Sequence, residues 1–422
     1  MDKNKKITIV NSLRQIAANV APPGSRGMLQ SRFFGNQKTS FELADQYLDA
    51  YENLIRILAE DGSWHDKYSE EYIGSKLIQI VCEATENNSL DIIPSLFDSL
   101  SAEYDNFNRE HTCFLPLRGL TMPNDEYKIG KITLVKMTDN VVTNLSKHIE
   151  YVVLNGKSKP EDKEAFLKTQ FMEVNSDFKN CLCSKYSMVG EFGRVRERAK
   201  EETLFVLDIL TYFIPALYPK SHRIAVGLQG EVDRSIFKGV IISEGYSFSL
   251  FSHITGPLQD LVLSTDNLNK MISLGFETIK TILEKPLNTR TNFETTLLRS
   301  IHWFASSQRQ IEKENELLNL LTSAETFLTP KDNSSISNSI AEGIAILLTS
   351  DLGERRSLKK TMKRFYGIRS SLSHGSAQSI LDLDLFELRG IIGQLISIMI
   401  SRSCEFNSQQ SLLDWIEDQK LG

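Results

Sequence analysis

The sequence is poor in the residues that build covalent or metal-bound scaffolds. Its five cysteines (Cys82, Cys113, Cys181, Cys183 and Cys404) are scattered over 422 residues, and their odd number excludes a complete disulfide framework. Only Cys181 and Cys183 lie close, and one residue between them is the spacing of neither a zinc knuckle nor a redox pair, so reduced thiols are expected. The seven histidines show no HxxxH or HxH spacing, and no metal or other cofactor is expected. Neither a GxxxxGK[ST] loop nor a GxGxxG between strand and helix is present, which sets aside the common nucleotide-binding folds. No apolar run approaches the roughly 18 residues of a membrane span. The opening MDKNKKITIV leads into Asn11 and Arg14 rather than a long apolar stretch, so no secretory signal is read and a cytoplasmic protein is expected.

Positive charge is also lacking overall. The net charge is −6, so any site for a polyanion must be a local basic patch working against the global field.

Hydrophobic periodicity divides what remains. Residues 1 to about 35, with Pro22, Pro23, Gly24 and Gly27, read as a loosely packed arm. Apolar positions from Phe41 to Leu58 recur at three and four, an amphipathic helix. Phe114–Leu117 and Lys131–Met137 alternate and are read as a strand pair, with PNDEYKIG as turn material between them. Lys157–Glu164 is read as a charged loop. A helix is expected over Val195–Leu217, interrupted near Pro215, followed by strands at Arg223–Leu228, Phe237–Ile242 and Ser247–Phe251. Beyond Pro257 only helical periods remain: Leu258–Leu283, Phe293–Ser307, Glu312–Leu328, Ile336–Leu348, Arg355–Ile368 and Leu381–Cys404. The class is therefore α+β, a mixed α/β N-terminal region followed by an all-α bundle. The expected divisions are 1–200, 201–289, the bundle at 290–405 and a C-terminal tail at 406–422.

The densest basic patch, RRSLKKTMKRFYGIR, spans Arg355 to Arg369 without one acidic residue. Arg355, Arg356, Lys359, Lys360, Lys363 and Arg364 form an RNA-binding candidate, with Arg356, Lys359, Lys360 and Lys363 at helical steps on one face. Its plain alternative is a solvated helix face. Arg369 is followed five residues later by His374, beside Gly375. Imidazole titrates near neutral pH and can carry protons, whereas guanidinium keeps its charge and can hold the phosphoryl oxygens of a transition state. Tyr366, one turn before Arg369, is either a phosphate or base contact or a core aromatic. Glu325, set among apolar neighbours, either orients Arg369 or lies on an exposed face. Five helical residues turn about 500°, so one straight helix cannot aim Arg369 and His374 at one phosphate. Either the helix ends between them or two chains each contribute a pair. His302, in the apolar stretch SIHWF, is expected to pack in the core, and the alternating run Arg194–Glu202 to be a solvated, salt-bridged helix.

Arg369 and His374 form an R-x4-H motif, and within a helical bundle it resembles that of the HEPN superfamily. Three pieces, LLRSIHWFASSQRQ (297–310), LLNLLTSAETFL (317–328) and FYGIRSSLSHG (365–375), resemble the Apea-like HEPN branch in order and spacing, and PLRGL (116–120) with KIGKITLVK (128–136) resembles its N-terminal region. Ser370 departs from the Asn, Asp or His that often follows the arginine, although serine there is similar to the Apea-like branch. The resemblance implies a metal-independent endoribonuclease that works as a homodimer and serves in antiviral defence as a toxin. Arg369 and His374 would be its catalytic pair and RNA its substrate, with an unidentified trigger at the N-terminal region. A non-catalytic dimer that binds RNA or nucleotide, and a bundle serving only dimerisation, are the alternatives.

Overall fold

The computed structural model describes residues 2–22, 31–35, 40–155, 163–219, 224–232, 235–243, 247–255, 259–329, 336–373 and 379–421. The fold is α+β, with a small antiparallel sheet and a C-terminal helical bundle. Two compact units emerge. The first joins Met1–Phe114 to Tyr186–Glu201, and the second joins Leu115–Lys185 to Glu202–Gly422. The divisions read from sequence follow other lines, since residues 115–185 group with the C-terminal helices.

In the first unit, α1 (Lys3–Ala18) precedes the hairpin of β1 (Ser31–Gly35) and β2 (Ser40–Ala44), then α2 (Asp45–Ala59), α3 (Gly62–Lys67), α4 (Glu70–Glu86) and α5 (Ile93–Asp105). The arm expected over residues 1–35 is corrected in its first half. Ile9, Leu13 and Ile16 recur at helical steps and are fully buried, a stripe that the lysines around it concealed. Pro23, Gly24 and Gly27 lie outside the described residues. The helix expected from Phe41 begins as β2, and Phe41 and Leu43 are buried there in a strand. Trp64 anchors this core, stacked on Tyr104 with ring centroids 4.9 Å apart. The basic run from Arg194 is only partly solvated, because Arg194 is buried and donates to the carbonyl of His65 at 2.7 Å. Arg198 does pair at the surface, with Glu201 at 2.9 Å.

The chain continues through β3 (Glu110–Arg118), β4 (Leu120–Thr121), β5 (Glu126–Ile129), β6 (Ile132–Lys136), α6 (Asp139–Asn155), α7 (Lys163–Phe178), β7 (Leu182–Val189) and α8 (Phe192–Leu217). There follow β8 (Gly227–Leu228), β9 (Ser235–Ser243), β10 (Ser247–Thr255), β11 (Leu261–Val262), α9 (Thr265–Ser273) and α10 (Phe276–Glu284). The main sheet has the order β5-β6-β7-β3-β8. Hence the strands read at Phe114–Leu117 and Lys131–Met137 exist but are not neighbours. The segment taken as turn material supplies β5, which folds onto β6 through a two-residue turn closed by Ile129 and Ile132, with Gly130 at φ +58°. β7 then occupies the other side of β6. The strands expected at 237–242 and 247–251 form the antiparallel hairpin of β9 and β10. Most of the loop read at 157–164 lies outside the described residues, as does Arg223.

Two helix expectations are also corrected. α8 runs through Pro215 without a break: the proline gives up the one bond its N–H would make to the carbonyl four residues back, and the ladder resumes with the Tyr218 amide donating to the Ile214 carbonyl at 2.8 Å. The helix expected over Leu258–Leu283 is divided into β11, α9 and α10. Ser264 caps α9 by accepting from the Asn267 amide at 3.3 Å. Gly275 separates α9 from α10 at φ +97°, where a Cβ would lie 2.5 Å from the side chain of Ile400.

The bundle is built from α11 (Asn292–Gln308), α12 (Lys313–Leu328), α13 (Ile336–Leu348), α14 (Leu352–Ser373), α15 (Asp382–Ser401) and α16 (Gln409–Leu421). Thr291 and Glu294 form a capping box that starts α11. Buried Ser300 and Ser323 face each other across α11 and α12 with their hydroxyl oxygens 2.9 Å apart, and each also donates to the other's carbonyl. Such small side chains let the two backbones approach closely. The segment 406–422, read as a tail, carries α16 instead, because Leu412 and Ile416, one turn apart, are buried. Among the described residues, no helix is long and apolar enough to cross a membrane.

Candidate functional site

The basic segment lies on α14. Asp351 opens the helix by accepting from the Glu354 amide at 2.8 Å. Met362, Phe365 and Ile368, at three-residue steps, are buried and fix which face turns inward. The charged residues therefore take the remaining surface, but they do not act alike. The Arg355 guanidinium turns back to the carbonyl of Thr349 at 2.8 Å. Lys359 is held by Glu342 of α13, and Arg364 by Asp384 and Glu387 of α15. Arg364 also lies over the Phe365 ring, 4.5 Å from its centroid.

Arg356, Lys360 and Lys363 are exposed and make no ion pair among the described residues. They stand at i, i+4 and i+7, one stripe of a helix. Gly367 and Ser370 continue that stripe, both exposed, and a Cβ on Gly367 would meet nothing within 4 Å. The cationic face is thus narrower than the spacing alone suggested, since Lys359 is committed to a carboxylate on the neighbouring helix.

Arg369 points elsewhere. Thirteen residues beyond Arg356, it lies about 220° around the helix, toward α12, where its guanidinium forms an ion pair with Glu325. The side chains are 36% and 18% exposed respectively, so the pair sits at a rim that solvent reaches from the arginine side. Tyr366, one turn below, is buried. Its hydroxyl lies against the carboxylate of Glu325. Burial first, and then the charge of Glu325, push the phenol far above its ordinary range, with Arg369 pulling the other way. The structure therefore gathers Arg369, Glu325 and Tyr366 at one place and leaves Ser370 on the exposed stripe. α14 continues through Arg369 to Ser373, and His374 lies outside the described residues.

His302 is not a core residue. Its side chain is 46% exposed, while Nδ1 lies 2.7 Å from the carboxylate of Asp208 on α8, which is only 3% exposed. Arg309 meets the other oxygen of that carboxylate at 2.7 Å. The apolar neighbours misled because Ile301 and Phe304 face the core, whereas position 302 lies 100° around the helix from 301. No local pattern ties Asp208 to residues about a hundred positions later. The partners of the basic helix, Glu342, Asp384 and Glu387, were equally silent in sequence.

Comparison of the chain with protein families, with curated proteins and with solved structures finds no match.

The link between Lys359 and Glu342 gives the basic helix a pH signature. The hydrogen bond from Lys359 draws the Glu342 carboxyl below its ordinary 4.5 against the effect of burial, and the charges of Lys359 and Lys420 add to it. A carboxyl whose pKa falls on folding stabilises the fold above its unfolded pKa and loses that contribution as pH drops below it. Lys359→Ala is thus expected to lower the melting temperature more at about pH 7 than at about pH 3. Thermal scans of both proteins across that range check it.

Proposed function

We propose that the chain is a metal-independent endoribonuclease of the HEPN type, acting in the cytoplasm as a homodimer of its C-terminal bundle. The observation that carries this reading is one helix holding both a cationic stripe, Arg356, Lys360 and Lys363, that makes no ion pair among the described residues, and Arg369 at a rim that solvent reaches. A strand of RNA held on the stripe would have to wrap around α14 to bring a phosphate to Arg369, which faces α12. Arg369 would then exchange Glu325 for a phosphoryl oxygen. The guanidinium then balances the charge that grows on phosphorus-bound oxygens in the transition state.

His374 supplies the proton transfers. One imidazole takes the proton of the ribose 2′-hydroxyl, whose oxygen attacks the adjacent phosphorus. The bond from phosphorus to the 5′-oxygen breaks, and that oxygen takes a proton from a second imidazole. In a two-fold dimer the second imidazole comes from the partner subunit's copy of the motif. The products are a 2′,3′-cyclic phosphate and a 5′-hydroxyl end. Defence against phage by destroying RNA is the biological setting that the motif resemblance suggests.

One observation favours a second reading. Arg369 already has a carboxylate partner in Glu325, and a bundle whose arginine stays so neutralised would bind RNA without cutting it.

Replacing Arg356, Lys360 and Lys363 together by glutamine tests the stripe. Three phosphate contacts on single-stranded RNA imply a salt slope of about −2 in log–log terms. The unmodified protein should therefore lose roughly 20-fold more affinity than the triple variant between about 50 and 200 mM salt. Equal slopes for the two proteins would place the RNA elsewhere. Fluorescence anisotropy with a labelled single strand reads the difference.

A further inference from the structure

Cys181 immediately precedes β7 and Cys183 lies within it, and their sulfur atoms are 3.6 Å apart. Cys183 is fully buried, whereas Cys181 is half-buried. Cys181 also lines a cavity of about 470 Å³ whose wall includes Arg118, Thr121, Lys136, Asn180 and Asp260. Cys181 thus borders a cavity whose wall carries two cations and one carboxylate, and Cys183 lies behind it in the core. Neither property is legible in a CxC spacing, which by itself looks like two unrelated thiols.

We propose that Cys181 and Cys183 are a peroxide-responsive pair, in which Cys181 is oxidised through the cavity and Cys183 captures it as a disulfide. The oxidant is hydrogen peroxide or an alkyl hydroperoxide. The Cys181 thiolate attacks one peroxide oxygen and the O–O bond breaks, giving a sulfenic acid and hydroxide or alkoxide. The Cys183 sulfur then attacks Cys181 sulfur, and the sulfenic oxygen leaves with the Cys183 proton as water. Two electrons pass from the sulfurs to the peroxide, and the ledger of atoms closes.

The electrostatics run in the required direction. A hydrogen bond from Cys183 draws the Cys181 thiol below its ordinary range, with help from Arg118, while burial and Asp177 oppose the shift. The same contact and burial push the Cys183 thiol up. The pair therefore gives up its first proton at the exposed sulfur, and the thiolate is the form that reacts. The neutral Cys181 thiol also donates to the carbonyl of Phe178 at 2.9 Å, a contact that ionisation gives up. Residues two apart along a strand have Cα atoms about 6.6 Å apart, near the wide end of the span a disulfide bridges. Strain of that kind makes a disulfide easy to reduce, which suits a reversible response rather than a structural staple. Nothing in this inference depends on RNA cleavage.

Cys404 is exposed and serves as an internal reference in the test. The full chain is treated with hydrogen peroxide at about one equivalent per thiol, alkylated and digested after lysine and arginine. The fragment Asn180–Lys185 should appear two hydrogens lighter and unalkylated, and dithiothreitol should restore both alkylation sites. In Cys183→Ser, Cys181 should instead be trapped by dimedone as a sulfenic acid. Without oxidant, iodoacetamide at about pH 7 should label Cys181 about ten-fold faster than Cys404. The proposal is overturned if the fragment keeps two free thiols while Cys404 oxidises. Slower labelling of Cys181 than of Cys404 in the unmodified protein would overturn it equally, and that measurement requires no variant to fold.

Discussion

Replacing Arg369 by alanine is expected to slow RNA cleavage by about 10²–10³-fold, the usual cost of removing one charge-stabilising donor from a transition state. The single substitution also strands Glu325, whose side chain is 18% exposed. A half-buried carboxylate without its partner costs about 1–3 kcal/mol, so partial unfolding is a second source of a slow rate in this variant. The double variant Arg369→Ala with Glu325→Gln separates the two effects. It should recover most of the melting temperature and stay as slow as the single variant. Arg369→Lys keeps the charge but loses the planar fork of donors, and should fall between. Recovery of cleavage in the double variant would mean that Arg369 matters only as the partner of Glu325.

Asp208→Ala is expected to cost about 3–5 kcal/mol, because it removes the one carboxylate that meets both His302 and Arg309. Removing the buried acid leaves a partly buried guanidinium charged and uncompensated, which is the expensive case. His302→Ala should cost under about 1 kcal/mol, since that side chain is nearly half exposed and its bond is to an acid that keeps Arg309. Urea unfolding followed by circular dichroism resolves the contrast. Similar losses for both variants would mean that the histidine, not the arginine, holds α11 to Asp208.

The same residues show which parts of this fold can be read from sequence. α11 to α15 carry apolar stripes at helical period, such as Leu317, Leu320, Leu321 and Ala324 of α12, all fully buried, and their existence was legible. Phase was harder. His302 stands between Ile301 and Phe304 and still faces out, because a single turn holds positions on opposite sides. The sheet was less legible still. β6 announces itself as KITLVKM, but its partners depend on the Gly130 turn and on β7, some fifty residues away. Ion pairs followed the same rule, since each of Lys359, Arg364 and Arg369 finds its acid on a different helix. What sequence conveyed about the site was its chemistry: a run of cations, an arginine and a histidine. Which of those cations stay unpaired is decided by tertiary contacts.

The central claim is that Arg369 and His374 cut RNA without a metal. Its most direct test is incubation of single-stranded RNA with purified full-length protein in excess EDTA, beside Arg369→Ala and His374→Ala variants of matched melting temperature. The account predicts cleavage by the unmodified protein alone, with 2′,3′-cyclic phosphate and 5′-hydroxyl ends. Cleavage that survives His374→Ala, or that stops when EDTA is added, would contradict it.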